Sequence, residues 1–454
     1  MAVRLKVVDS SAIHQDHVIA LGGCCDLLVA QAANIITPLP LIPGARCWPT
    51  SARHRPAAAR ASATGRRAWP ARPRLGPTVT RPSEHKMRTA PAGATLDGSV
   101  GINTTAALSW KNLAVFESSD LVRRLYKRRH HLELNAGTAR EITTSLAQGR
   151  QYFAELRSVG ELARPLVLFY GVMALSRAAI LFLKPGAKEE SLSQGHGLTA
   201  HNWQQSLAGG IKNVPDLQLK VATGTFTELA DATHVVDRAV VNVAPYPNTI
   251  AVKTAAKADM PTGWSITLRE LLGRIPELHN IYEETFEEHA YCRRVFVFLL
   301  AGHGPFQTTI DTLATRQGLP TEERARQDLG LDPAVQLTKH ANHNFLGAIE
   351  HWSVQQSRES LQDVLDRLPY LINDSQRNVF VVPAVPNGSR LSKMLMLYAT
   401  SYALGMLSRY YPSRWVTLLT GGTGDFSYPL LAEASRVIED VFPQVLDTEF
   451  WATD

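Results

Sequence analysis

Pro165 to Leu183 reads PLVLFYGVMALSRAAILFL, and Leu391 to Tyr411 reads LSKMLMLYATSYALGMLSRYY. These two stretches decide the fold. In the first, Ser176 and Arg177 are the only strongly polar members of 19 residues. That length would span a bilayer, but an unpaired arginine near the midpoint costs roughly 2.5–3.5 kcal/mol there on insertion scales. A helix apolar on nearly all sides is also what the centre of a large soluble domain requires. The expectation is therefore a buried helix and no membrane partner. The second stretch is apolar in the same manner and is halted by Pro412. Two such helices at opposite ends of a chain bury each other's apolar surface, at about 25 cal/mol per Å².

Working outward from them, Trp110–Tyr126 reads as one helix with Ser119 or Asp120 as cap, and Thr138–Leu156 as another. The apolar helix 162–183 is closed by Lys184-Pro185-Gly186, and a loop with Gly195-His196-Gly197 follows. The middle, 215–385, carries the strand signals: Leu217–Ala222, Ala239–Val243, Thr249–Lys253, Arg294–Ala301, His351–Gln356 and Asn378–Val382. Trp264–Arg274 and Pro276–His289 read as helices within it. After Thr420-Gly421-Gly422-Thr423-Gly424, a last amphipathic helix runs from Pro429 to Phe442, with Pro443 as its end. The expected fold is α+β and mainly helical. Its N- and C-terminal helices pack together around a β-containing middle region, all within 108–454.

The first fifth of the chain differs in kind. Between 45 and 95, 29 of 51 residues are Ala, Arg or Pro, and only Leu75 and Val79 are branched apolar. Such a segment cannot bury enough apolar surface to offset chain entropy, so 1–95 is expected to be a disordered extension. A mis-called start, with translation beginning at Met87, accounts for the same text. Residues 1–95 hold 13 basic and 4 acidic side chains of a total of 47 and 41, so the remaining residues carry a net −3. The pI of 9.1 thus belongs to the extension and is a weak argument for nucleic acid. Of four cysteines only Cys292 lies in the body, which excludes a disulfide framework or cysteine zinc site and suits a reducing cytoplasm.

Two motifs resemble the YaaC-like proteins of bacteria. Arg164-Pro165-Leu166-Val167-Leu168-Phe169-Tyr170-Gly171-Val172-Met173, followed by His196-Gly197-Leu198, is similar to that family's RPLLLYYG-M helix and HGL element. Tyr402 to Tyr410 with Pro412 and Trp415 is similar to its C-terminal LSM-xRY-P-xW helix, with Gly405 where serine is usual. Leu268–Leu278 also fits the family's pattern. The resemblance covers about 110–445 and implies no particular reaction.

Candidate chemistry follows from residues set in unusual surroundings. Arg164, Arg177 and Arg409 lie in or beside apolar helix text, where a guanidinium must be paired or must grip an anion. His196, between two glycines, and Tyr170, in the same motif as Arg164, complete a candidate anion site for a nucleotide or nucleic acid. His303, also between glycines, is a weaker candidate. Arg274 and His279 satisfy the R-x4-H spacing of HEPN ribonucleases, which makes a HEPN-like ribonuclease or defence effector the alternative, though Pro276 interrupts the helix that spacing needs. A third alternative is a non-catalytic homo-oligomer built on the apolar helices. His340, His343 and the acids Glu283, Glu284, Glu287 and Glu288 beside His289 form no complete metal motif, and the acids read as a solvated helix face. No dinucleotide, phosphate-loop or nucleophile-elbow pattern is present, so no cofactor is implied.

Overall fold

A computed structural model describes residues 99–452, apart from 234–235, 238–241, 245–252, 255–259, 301–305, 345–346 and 359–369. Residues 1–95, most of the strands expected at 239–243 and 249–253, and His303 lie outside those residues. The helical body opens with α1 (Ser99–Leu113), a 3-10 turn (Ala114–Glu117) and α2 (Ser119–His130). The single helix expected over 110–126 is broken because Ser118 takes an extended conformation and caps α2 through Leu121 N–H. Asn135 caps α3 (Ala136–Glu155), accepting from Thr138 N–H at 2.9 Å. α4 (Arg164–Leu183) follows, with Pro165 in its first turn, where a missing N–H costs nothing.

The chain then enters the mixed region. β1 (His196–His201), α5 (Trp203–Ala208), β2 (Gln218–Gly224), α6 (Thr225–Ala232), β3 (Val236–Asp237), β4 (Asn242–Ala244), β5 (Lys253–Thr254), β6 (Ser265–Thr267), α7 (Leu268–Leu272) and α8 (His279–Phe286) come first. β7 (Arg293–Leu300), β8 (Phe306–Leu313), α9 (Glu322–Leu329), β9 (Leu337–Asn344), β10 (Gly347–Arg358), β11 (Leu371–Asn373) and β12 (Val379–Val381) complete it. β1, β2 and β6 form a small antiparallel sheet in that order, and β3 pairs with β5. The larger sheet runs β11-β12-β7-β8-β10-β9, with β4 parallel to the last residues of β7.

Expectations for the mixed region need correction as well. The Gly195-His196-Gly197 segment is not a loop, since His196 opens β1. Gly197 has φ +78° and an added Cβ would meet Phe226 N at 2.6 Å, so the motif's glycine serves close packing of β1 on α6. The helix expected over 264–274 starts late, because Ser265–Thr267 joins the small sheet and Thr267 then caps α7 in a reciprocal box with Glu270.

The larger sheet has two different faces. Val295, Val297, Ile310, Val354 and Leu337 lie on one face and bury against Ala325 and Leu329 of α9. Arg294 and Phe380, opposite one another on β7 and β12, lie on the other face. Phe380 joins the main core, so this face turns towards the helical body.

The chain closes with α10 (Lys393–Tyr410), α11 (Pro412–Leu419) and α12 (Tyr428–Trp451). Pro412 stops α10 as expected but also starts α11 as its first residue. Pro443 does not end the last helix. α12 runs through it to Trp451, held by burial of Ile438, Val441, Phe442, Leu446 and Phe450. By length and composition α4 could cross a membrane, yet 72% of its apolar window is buried inside the protein. It crosses α10 at Gly405, where a Cβ would stand 2.9 Å from Phe169 Cβ and 3.4 Å from the Pro165 carbonyl oxygen. That distance explains why only a very small residue fits there. The fold is α+β and mainly helical, with its terminal helices packed together.

Candidate ligand-binding cleft

Where the helical body meets the β12–β7 end of the larger sheet, a cleft of about 990 Å³ opens. α12 lines it with Glu433, Arg436, Glu439 and Asp440, and the start of α4 with Arg164. The sheet side lines it with Arg294 on β7, Arg316 after β8, and Asp374, Ser375, Gln376 and Asn378 in the turn between β11 and β12. Glu277, His279, Asn280 and Phe380 line it as well.

Most charges in the cleft are already matched. Arg164 donates to the Leu156 carbonyl and pairs with Glu439. Arg436 pairs with Glu433 at 3.0 Å, Arg316 with Glu284, and Lys393 with Glu277. Asp374 accepts from the Gln376 and Asn378 backbone N–H groups and closes its own turn. Arg294 differs from these. Its guanidinium donates to Asn378 Oδ1 at 2.7 Å and lies over Phe296, and it meets no carboxylate among the described residues.

His279 is 8% exposed, begins α8, and sets its ring edge-on to Phe380 with centroids 5.6 Å apart. Its Nδ1 approaches Asn280 Oδ1 at 3.3 Å, while its Nε2 has no hydrogen-bond partner and stands 3.6 Å from Glu283 Oε1. Burial pushes the imidazole below its ordinary pKa, with the Glu283 charge opposing and the charges of Arg293 and Arg294 adding to the fall. The ring is therefore held neutral at neutral pH, able to donate from one nitrogen and accept on the other.

Behind His279 is a buried charge network. Glu283 is 1% exposed and its Oε1 accepts from Ala290 N–H at 3.2 Å. The same oxygen lies 3.5 Å from Arg293 Nη1 and 3.6 Å from His289 Nδ1. Arg293, wholly buried, donates from Nε to Asp328 Oδ2 at 2.8 Å, and Arg324 donates to the other oxygen of Asp328 at 2.7 Å. Two arginines and two carboxylates balance, and together they join α8, β7 and α9. The acids 283–288 are therefore not uniformly a solvated face: Glu284 is open to solvent, whereas Glu283 is the buried centre of this network.

A family model described as YaaC-like Protein matches residues 114–450. The chain belongs to the YaaC-like family. No curated protein and no solved structure matches it.

In this YaaC-like chain the residues singled out from sequence divide among four places. Arg164 and His279, which came from different readings, line the same cleft. Tyr170, His196 and Arg409 gather elsewhere and do not line it. Arg409 Nη1 donates to Tyr170 Oη at 2.9 Å, and His196 Nδ1 lies 3.1 Å from Met173 Sδ with its ring edge-on to Phe169. Burial, and then the charge of Arg409, lower the pKa of His196. Arg409 is solvent-exposed, while Tyr170 and His196 are half-buried. Arg177 pairs with Glu189 at 3.4 Å.

Arg274 is buried and held in place. It donates to the carbonyls of Glu270, Pro383 and Ala384 and stacks on Tyr291, 4.4 Å from guanidinium to ring centroid. It does not share the cleft with His279, because the turn at Pro276 separates them. His340 stacks on His351 across β9 and β10, and among the described residues no three acids, histidines or cysteines are placed to hold a metal. Arg294, Asp440 and the Glu283–Arg293–Asp328 network carried no local signal. Only the four-residue spacing of His279 and Glu283 marked a shared helix face.

Proposed function

We propose that this YaaC-family protein binds a small anionic molecule of about nucleotide size in the cleft, with its acid group held by Arg294. The observation that carries this is Arg294, a guanidinium lining the cleft that meets no carboxylate among the described residues. A cation left without an acid partner is what a bound anion would complete, through charge-assisted hydrogen bonds. Concave sites of about 300–1,000 Å³ suit such ligands.

The lining argues against a polynucleotide. Glu277, Asp374, Glu433, Glu439 and Asp440 line the cleft together with Arg164, Arg294, Arg316 and Arg436, whereas a phosphate backbone is held by runs of uncompensated Lys and Arg. The ribonuclease alternative has no support from Arg274, which is buried and donates from each of its three nitrogens to a backbone carbonyl.

The test is isothermal titration of the full chain with nucleoside mono- and diphosphates. Saturable binding, weakened about tenfold or more in Arg294→Ala without loss of thermal stability, is the expected result. A well-folded protein that takes up none of them ends this reading.

A further inference from the structure

We propose, resting on the anion reading of the cleft, that a ligand's arrival on Arg294 is coupled to uptake of a proton by His279, so that the anion binds more tightly as the pH falls. His279 lines the cleft, but the unpartnered nitrogen of its ring faces buried Glu283 and not the cleft. Nδ1 meets the Asn280 amide oxygen, an acceptor, at 3.3 Å, so the neutral imidazole carries its hydrogen there. Nε2 then presents a lone pair to Glu283 Oε1 at 3.6 Å, two acceptors with no donor between them. A proton taken from solvent onto Nε2 supplies that donor and makes the contact a charge-assisted pair.

Burial opposes that proton, and so do the charges of Arg293 and Arg294. The two guanidiniums differ. Arg293 is wholly buried, donates to Asp328 and lies 3.5 Å from Glu283. Arg294 lines the cleft and stands opposite Phe380 on the neighbouring strand, and the His279 ring is edge-on to that same Phe380. An anion on Arg294 offsets the opposing charge that a ligand can reach, and leaves Glu283 to favour the proton. The other charges around the ring are paired: Glu277 with Lys393, Glu284 with Arg316, Glu433 with Arg436, Glu439 with Arg164, and Arg324 with Asp328. Asp374 and Asp440, the acids of the lining outside these pairs, favour a charged ring. His289 also reaches Glu283 Oε1, at 3.6 Å, and competes for the proton, but it does not line the cleft. Because coupling is reciprocal, the factor by which the anion favours the proton is the factor by which the proton favours the anion.

The experiment is isothermal titration of the full chain with adenosine monophosphate, in two buffers of different ionisation enthalpy, which counts the protons taken up. The phosphate itself titrates near about pH 6, so the share of the histidine is the difference from His279→Gln, a side chain that cannot become charged. Uptake should be greater in the unaltered protein than in His279→Gln. Its affinity should also rise up to about tenfold more between about pH 8 and about pH 6, which is what a one-unit rise of the imidazole pKa allows. Equal uptake in the two proteins overturns the coupling, while binding of the nucleotide leaves the anion reading standing. Uptake that His289→Gln removes and His279→Gln does not overturns the assignment to His279. If His279→Gln fails to fold, the histidines of the unaltered protein are followed by NMR: a titration midpoint that rises with the nucleotide supports the coupling, and midpoints that all stay fixed overturn it. If the nucleotide binds at no pH, the coupling and the anion reading fall together.

Discussion

The crossing of α4 and α10 and the junction of α8, β7 and α9 are both wholly buried, but they are held by different physics. At the crossing, Phe169, Leu397, Leu404 and their neighbours fill space, and a glycine at 405 sets how near the helices come. At the junction, Glu283, Arg293 and Asp328 balance charges in a place water does not reach. Shape tolerates any residue of the right volume. Charge tolerates only its complement, because a partner removed leaves a buried ion behind. The cleft opens beside the junction, so the costly arrangement lies behind the candidate site.

The largest effect expected from this contrast is at Arg293. Arg293→Met keeps much of the volume but strips Glu283 and Asp328 of their shared cation, and should destabilise by about 3–5 kcal/mol in urea unfolding. Adding Glu283→Gln to that variant should recover part of the loss, since the stranded charge is gone. A single-variant change below about 1 kcal/mol would show that the network is looser than its burial implies.

Gly405→Leu tests the other region and ranks second. Its added carbons run into Phe169 and the Pro165 carbonyl. Overpacking of this kind costs about 1–3 kcal/mol. An unchanged unfolding midpoint would mean that α4 and α10 can separate without loss, and the idea of a crossing set by shape would fail.

The same contrast explains what could be read from the sequence. Continuous apolar text in 165–183 and 391–411 announced two buried helices, because burial on all sides leaves a local trace. RVFVFLLA likewise announced β7, and the mixed, mainly helical class followed. The junction left almost none. Glu283 sits in a run of acids indistinguishable from a solvated face, and Asp328 is 35 residues from Arg293. Whether a carboxylate is buried depends on a partner the chain supplies far away. Proline misled for the opposite reason: Pro443 opposes a helix locally, but the apolar face of α12 from Leu430 to Phe450 outweighs it. The cleft was half visible. Arg164 and His279 stood out as unusual, whereas Arg294 and Asp440 read as ordinary surface residues until folding brings them to the lining of one cleft.

A pH series gives a third and smaller effect. The ordinary imidazole value is 6.5, and burial holds His279, His289 and His196 below it in the folded protein. Above that pH both states are neutral and stability is complete. As the pH falls through it, the unfolded chain takes up protons first, so stability declines until the folded-state values are passed. His279→Gln should remove one share of this decline, and urea midpoints at about pH 7 and about pH 5 would show it. Equal declines in both proteins would place the linkage on the other two histidines.

Arg164→Ala is the smallest expected change and the one that best separates structure from site. Its pair with Glu439 is partly exposed, with side chains 21% and 23% accessible, so water screens it and the net stabilisation is about 0.2–1 kcal/mol. The variant should fold, and its thermal midpoint should fall only slightly. What it frees is Glu439, a third carboxylate beside Glu433 and Asp440 on the α12 wall, which makes that wall more negative. Nucleotide binding should therefore weaken more than stability does, although Arg164 need not touch the ligand, and added salt should narrow the difference by screening the new charge. A collapse of the fold in Arg164→Ala would instead place the residue with Arg293, as a cation the core cannot lose.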